Sequence, residues 1–412
     1  MRIAKIPSRI IQEIQSQSND PFYIYDIDAI NHNVNLMQNA FNEILNFKNF
    51  YAVKANPNPQ ILKEILNGGM GMDCSTYTDL KLAQLIGAKG EQIIFTSNNT
   101  PLEDFELALE LGAIINFDDI THIPYLFENL NKTPNVACCR YNPGDLKTGN
   151  SIIGNPLEAK YGMTKDQLIQ SYKVLKEKGC TRFGIHTMVA SNELSLDYFI
   201  QTAQIMFQTA IDIQKELGIQ FEFINLGGGI GIPYHPNQTP IDFQDLANQI
   251  SNVYFDYFSS DSYLPKINME CGRFVTGPYG YLVTKVRHIK RTYKNYAGVT
   301  ASMADLMRPG MYLAHHEIQV LGKENQDNLE IYDVTGNLCE NNDKFAIDRK
   351  LPILEVGDTL IIHDVGAHGH CMGFNYNGLL RPAEYTYSES KHELKLIRRR
   401  QALEDLFATH IY

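Results

Sequence analysis

The sequence has no C-x-x-C pair, no excess of basic residues, no low-complexity tract and no apolar run near the roughly 18 residues of a membrane span. Each absence excludes something. Seven cysteines is an odd number, and the adjacent Cys138 and Cys139 cannot easily bridge each other. That usage fits neither a disulfide framework nor a zinc site and reads as reduced thiols. A net charge of −11 leaves little basic surface for nucleic acid. The start, M-R-I-A-K-I-P-S-R, shows no apolar segment of a signal peptide. A soluble cytoplasmic protein is expected, with no nucleic acid, membrane or metal as partner. What is present is ordinary for a globular chain: 412 residues, 44% hydrophobic and 20% charged, enough for two domains with cores.

Short apolar runs alternate with helical patterns over most of the chain. Runs at 22–25, 51–53, 70–74, 93–96, 114–117, 136–141, 183–186, 221–226 and 266–270 read as strands. Helical spacing lies between them, as in the long stretch 196–217. A strand–helix unit repeated about eight times over about 250 residues predicts a (β/α)8 barrel, with an open doubly wound sheet as its competitor. After residue 280 the rhythm changes to strands with polar turns, and a helix is expected only at 395–407. The expected organisation is a barrel over 20–280, with 1–19 and 281–412 forming a β-sandwich or barrel domain.

The stretch Y-A-V-K-A-N-P-N-P, residues 51–59, places Lys54 where a buried strand leaves the core before two prolines. Desolvation there is expected to lower the pKa of Lys54 and make its amine a nucleophile, although a plain surface lysine would read the same. G-G-G-I-G (Gly227, Gly228, Gly229, Ile230, Gly231) follows the apolar F-I-N-L and suits a phosphate. It lacks the G-x-G-x-x-G spacing of a dinucleotide loop. In E-C-G-R, Glu270 and Arg273 could simply pair with each other. M-R-P-G-M-Y (307–312) and N-L-C-E-N-N-D (337–343) are each ordinary loop chemistry when taken alone. Together, a lysine, a phosphate loop and a carboxylate at the ends of barrel strands converge on one face.

In this order the motifs Y-A-V-K-A-N, R-Y-N-P, K-Y-G, L-G-G-G-I-G, E-C-G-R-F-V, C-E-N-N-D and G-A-H…N-Y-N resemble the fold-type III decarboxylases that use pyridoxal phosphate, the group of diaminopimelate and ornithine decarboxylases. M-R-P-G-M-Y-L-A-H-H-E-I is most similar to the diaminopimelate branch. The resemblance implies that Lys54 holds pyridoxal phosphate through an imine. It places the phosphate on Gly227, Gly228, Gly229 and Gly231 with Ser191, and the ring nitrogen on Glu270. Cys339 would return a proton after CO2 leaves. Glu340 would meet the distal ammonium of the substrate, and Arg273, Arg308 and Tyr312 its distal carboxylate, which a forked guanidinium fits bidentately. Cys339 and Glu340 would serve the site of the partner in a homodimer.

Two positions depart from the family pattern. The segment that usually reads H-I-G-S or H-V-G-S is M-V-A-S here, so Met188 replaces the histidine that stacks on the cofactor, and His186 is a candidate substitute. His368 in G-A-H stands where a tyrosine usually contacts phosphate. The leading expectation is decarboxylation of meso-2,6-diaminopimelate to L-lysine. Alternatives are a decarboxylase of D-lysine, D-ornithine or a carboxylated polyamine or siderophore intermediate. A non-catalytic binding protein is disfavoured by Lys54 and Cys339 together, and a racemase by the lack of a second base.

Overall fold

The computed structural model describes residues 3–411, apart from 42, 43, 45, 46, 151 and 259–262. The first strand, β1 (Phe22–Asp26), stands outside the alternation that follows. Eight parallel strands then close a barrel: β2 (Lys48–Ala52), β3 (Gly71–Cys74), β4 (Ile93–Ser97), β5 (Ile114–Phe117), β6 (Ala137–Tyr141), β7 (Phe183–Thr187), β8 (Phe221–Asn225) and β9 (Lys266–Met269). Strands covered on both faces need continuous apolar runs, and β5 and β6 are buried at every position. Phe50, Ile94, Ile114, Val136, Cys138 and Phe223 pack as one cluster. Helices start where local chemistry tells them to. After the turn at Lys54, Asn58 caps the helix Pro59–Asn67 by accepting the Gln60 N–H at 3.1 Å, and Pro59 takes a first-turn position that needs no donor. Thr164 and Gln167 form a capping box on the helix Lys165–Glu177. The barrel forms one compact unit, residues 31–232 and 239–275.

The second unit comprises residues 3–30, 233–238 and 276–411. Its strands are β1 with β10 (Gly280–Arg291), β11 (Asn295–Val299), β12 (Ile318–Val320), β13 (Leu329–Thr335), β14 (Lys344–Pro352), β15 (Thr359–Ile362), β16 (Ala383–Ser388) and β17 (Glu393–Arg398). They form a nine-stranded sheet with main order β14-β13-β11-β10-β1-β16-β17, and β15 pairs with β10 and β12. The helix Ser8–Gln17 lays Ile10, Ile11 and Ile14 against Phe22, Ile24, Val283 and Ile361.

Two expectations are corrected. The run 22–25 does not open the barrel: it pairs antiparallel with β10 and parallel with β16. Its four buried positions look like those of a barrel strand, and only its partners tell them apart. The expected helix 395–407 divides into β17 and a short helix, Leu403–Phe407, because 394–398 pair with β16. β17 ends the strand order of the sheet and is largely exposed, as an edge strand.

The sheet unit also carries a pH-sensitive histidine. His370 donates from Nε2 to the Pro382 carbonyl at 3.2 Å, and its Nδ1 accepts from Arg381 Nη2 at 3.1 Å. A second ring proton would point at that guanidinium. Burial, with Arg381 and Arg398 adding to it against the pull of Glu384, pushes His370 down to about 4. An unfolded histidine titrates near 6.5, so between about pH 6.5 and about pH 4 the unfolded chain takes a proton that the folded chain refuses. Stability is therefore lost as pH falls through that window, by roughly 3 kcal/mol from this group. His370→Gln is expected to lose correspondingly less between pH 7 and pH 4.5 in urea unfolding. Equal slopes for the two proteins would contradict this.

Candidate active site

In the barrel unit, polar side chains gather at the C-terminal ends of the strands, the end where barrel enzymes carry their chemistry. Lys54 lies in the 3-10 turn Val53–Ala55 directly after β2. Its Nζ is 3.2 Å from Asp73 Oδ2 on β3, because the β2–β3 register sets Ala52 opposite Asp73. The lysine side chain is 54% exposed and that of Asp73 only 3%. The expected lowering of the Lys54 pKa is overturned. The Asp73 carboxylate, helped by Glu270, raises it and outweighs desolvation. Burial in turn pushes the Asp73 carboxyl up, against the pull of Lys54. Asp73 Oδ1 is buried with no hydrogen-bond partner among the described residues.

The glycines after β8 are demanded by close backbone packing. A Cβ on Gly227 would collide with the Thr187 carbonyl, one on Gly228 with the Glu270 carbonyl, and one on Gly229 with the Ala190 carbonyl. Gly229 also has a φ of +90°, which side chains rarely adopt. The loop is thus pressed between the ends of β7 and β9. Its amides are partly committed: Gly227 donates to Asn225 Oδ1 at 2.9 Å, Gly231 to the Glu193 carbonyl at 2.9 Å, and Gly228 to Met188 Sδ at 3.1 Å. A thioether is a weak acceptor, so an anion would be the stronger partner for the Gly228 amide. Met188 is therefore packed on the glycine loop. Ser191 donates its backbone N–H to Asn150 Oδ1 at 3.2 Å, and Asn150 Nδ2 reaches Glu193 Oε2 at 2.8 Å.

Glu270, just past β9, is 7% exposed. Its Oε2 lies 2.9 Å from His186 Nε2, and its Oε1 accepts from Asn225 Nδ2 at 2.8 Å. Burial alone would raise its pKa, but His186, Lys54 and Asn225 together hold it below the ordinary value. His186 is thus engaged with Glu270, and Arg273 opens the short helix Arg273–Thr276. Asp73 and Asn225 were missed in the sequence. The available signal was a polar residue inside M-D-C and F-I-N, runs otherwise apolar. Arg140, in the R-Y-N-P motif, pairs with Asp118 at 2.8 Å and donates to the Met188 carbonyl at 3.3 Å, which fixes the end of β7.

The sheet unit carries the other predicted residues. Arg308 and Tyr312 share the short helix Arg308–Tyr312, the first 7% exposed and the second 60%. The Arg308 guanidinium lies over the Tyr234 ring, 4.3 Å from its centroid, and Nη1 is 3.0 Å from His316 Nε2. Since His316 Nδ1 faces the His363 carbonyl at 2.8 Å and donates there, its Nε2 accepts from the guanidinium. Cys339 is exposed and accepts from Asn377 Nδ2 at 3.1 Å, while Glu340 bonds Tyr376. Asn342 ties this loop to the Gly310 carbonyl at 3.3 Å. His368 is half-buried with a φ of +55°. Among the described residues no group of His, Cys, Asp and Glu is placed to hold a metal, and no helix is long and apolar enough to cross a membrane.

An amine beside a carboxylate, a glycine cradle pressed between strand ends and a buried ionised carboxylate fit the aldehyde, phosphate and ring nitrogen of pyridoxal phosphate. The chain belongs to the pyridoxal-dependent decarboxylases: the family model for their pyridoxal-binding domain matches residues 27–277. It is thereby a carboxy-lyase, and its cofactor is pyridoxal phosphate. Among its relatives is Protein TabA of Pseudomonas amygdali pv. tabaci, 39% identical over 396 residues, which are 96% of this chain and 92% of that one. The diaminopimelate decarboxylase of Methanothermobacter thermautotrophicus is 32% identical over 398 residues, again 96% and 92% of the two chains. The crystal structure of diaminopimelate decarboxylase from Methanocaldococcus jannaschii in co-complex with L-lysine superposes with a TM-score of 0.89 at 30% identity, covering 97% of this chain and 94% of that one.

Proposed function

We propose that this protein decarboxylates meso-2,6-diaminopimelate to L-lysine, as a cytoplasmic homodimer in lysine biosynthesis. The observation that carries the substrate assignment is Arg308, a guanidinium held over the Tyr234 ring and against His316, on the same short helix as Tyr312. A planar fork held in one orientation suits a carboxylate at the far end of a substrate. The relatives named diaminopimelate decarboxylase support the same substrate. All seven cysteines are free, which suits a reducing compartment.

In this reading Lys54 would hold the cofactor covalently, the glycine loop with Ser191, Arg273 and His368 would anchor its phosphate end, and Glu270 would pair with the ring nitrogen. When bound, pyridoxal phosphate supplies the electron sink for the pair left by the departing CO2. Cys339 Sγ delivers a proton to the substrate carbon that lost its carboxylate. Glu340 receives the distal ammonium, and Arg308, Tyr312 and Arg273 the distal carboxylate.

The second reading is a decarboxylase for another amino acid, such as D-lysine or D-ornithine. It is favoured by Met188 and by the higher identity to Protein TabA. The two readings separate when CO2 release is measured on cofactor-loaded protein with meso-diaminopimelate and D-lysine side by side. Diaminopimelate is expected to be preferred. Arg308→Ala is expected to lower kcat/KM on it by about 10²-fold, the worth of a charge-assisted hydrogen-bond pair. Activity on D-lysine should change little. Equal loss on both substrates, or a preference for D-lysine, would remove the assignment.

A further inference from the structure

We propose that His186 and Asn225 are positioning residues for Glu270, a two-sided clamp that keeps its carboxylate ionised and so leaves the proton on the cofactor ring nitrogen. This rests on the reading that Glu270 is the partner of that nitrogen.

The clamp follows from strand register. His186 on β7 and Asn225 on β8 are directly paired, so their side chains leave the sheet on the same face. Glu270 follows β9, the next strand of the barrel. One donor reaches each carboxylate oxygen: His186 Nε2 at 2.9 Å from Oε2, and Asn225 Nδ2 at 2.8 Å from Oε1. Asn225 and His186 are 0% and 1% exposed. His186 Nε2 must carry a hydrogen, since it faces a carboxylate oxygen. Nδ1 is buried with no hydrogen-bond partner among the described residues, so the contact with Glu270 alone orients the ring.

A carboxylate has about four lone-pair directions, so two donors leave room for a third along another one. The proton between Glu270 and a ring nitrogen goes to whichever group holds it better. A buried carboxylate without donors gains proton affinity and would keep that proton as a neutral acid. Two donors reverse the balance by stabilising the anion. The other titratable groups around Glu270 do not do this evenly. Lys54, after β2, favours the anion; Asp73 on β3 opposes it, and burial, with Glu270 adding to it, raises the thiols of Cys138 on β6 and Cys271 beside it. Asn225 has a second task. Its Oδ1 accepts the Gly227 N–H at 2.9 Å, so one side chain ties the carboxylate to the glycine loop and fixes the spacing between the two ends of the site. His186 then has a role distinct from covering the cofactor ring.

The test loads the protein with pyridoxal phosphate labelled with 15N in its ring and reads the nitrogen chemical shift across pH. That signal separates a protonated from a bare ring nitrogen and is insensitive to a general loss of packing. Circular dichroism and cofactor Kd are recorded for every variant. The wild type is expected to show a protonated ring nitrogen at neutral pH, and Glu270→Gln a bare one. His186→Phe and Asn225→Ala should each lower the pH at which the ring loses its proton, by roughly one to two units. His186→Gln, whose amide can still donate, should recover most of the shift, and it serves as the folded comparison if His186→Phe does not fold. If Glu270→Gln loses the ring proton while Asn225→Ala and both His186 variants titrate like wild type, the clamp is overturned and the Glu270 reading stands. If Glu270→Gln keeps the ring proton, both are overturned.

Discussion

Lys54→Ala protein reconstituted with pyridoxal phosphate is expected to show none of the visible absorbance of lysine-bound cofactor and to lose at least about 10³-fold in turnover, the scale of removing a covalent partner or essential proton-transfer group. The structure makes the control as important as the variant. Asp73 is 3% exposed and has its Oδ2 on Lys54 at 3.2 Å. Deleting the lysine leaves a buried carboxyl without that cation, a change that destabilises by itself. The loss is discounted because the lysine side chain is about half exposed, so solvent already screens the pair. Lys54→Arg separates the two effects. An arginine keeps a positive charge beside Asp73 but cannot form the covalent link. It is expected to melt close to wild type and yet to match Lys54→Ala in absorbance and activity. Visible absorbance and CO2 release that persist in both variants would end the assignment of Lys54.

The barrel was legible because its strands are buried on both faces and so spell continuous apolar runs such as I-I-F at 93–95 and I-I-N-F at 114–117. Pairing partners were not legible. F-Y-I-Y at 22–25 has the same composition as a barrel strand, and its place beside β10 and β16 depends on segments about 260 and 360 residues away. The same limit governs the site. Lysine, glycines and glutamate stood out as residue types at strand ends. Their electrostatics did not, because the pKa of Lys54 is raised by Asp73, nineteen residues on and brought near by the β2–β3 register. Likewise His186 was weighed as a core residue or a ring cover, whereas its contact is Glu270, 84 positions later. Periodicity tells which face a residue occupies; it does not tell which strand lies alongside.

Mixing Lys54→Ala and Cys339→Ala protein in equal amounts, under conditions that let subunits exchange, is expected to restore about a quarter of wild-type activity from two nearly inactive samples. Cys339→Ala alone should keep bound cofactor and lose about 10²- to 10⁴-fold in turnover, as for other proton donors. Cys339 is exposed, on the loop after β13, and Asn342 connects that loop to the helix bearing Met311 and Tyr312. Met311, Tyr312 and Leu313 are 53%, 60% and 84% exposed, a run of bare apolar side chains suited to a second copy of the chain. If Cys339 serves the site of the partner subunit, a mixed two-fold dimer has one site carrying both defects and one carrying neither. Random exchange makes about half of the dimers mixed, each with one of two sites intact, which gives the fraction of about a quarter. If Lys54 and Cys339 instead served one site within a single chain, every site in every dimer would carry a defect and mixing would restore nothing. Recovery therefore reports shared sites directly, and its absence, with subunit exchange verified by a mass-tagged chain, would return Cys339 to its own subunit.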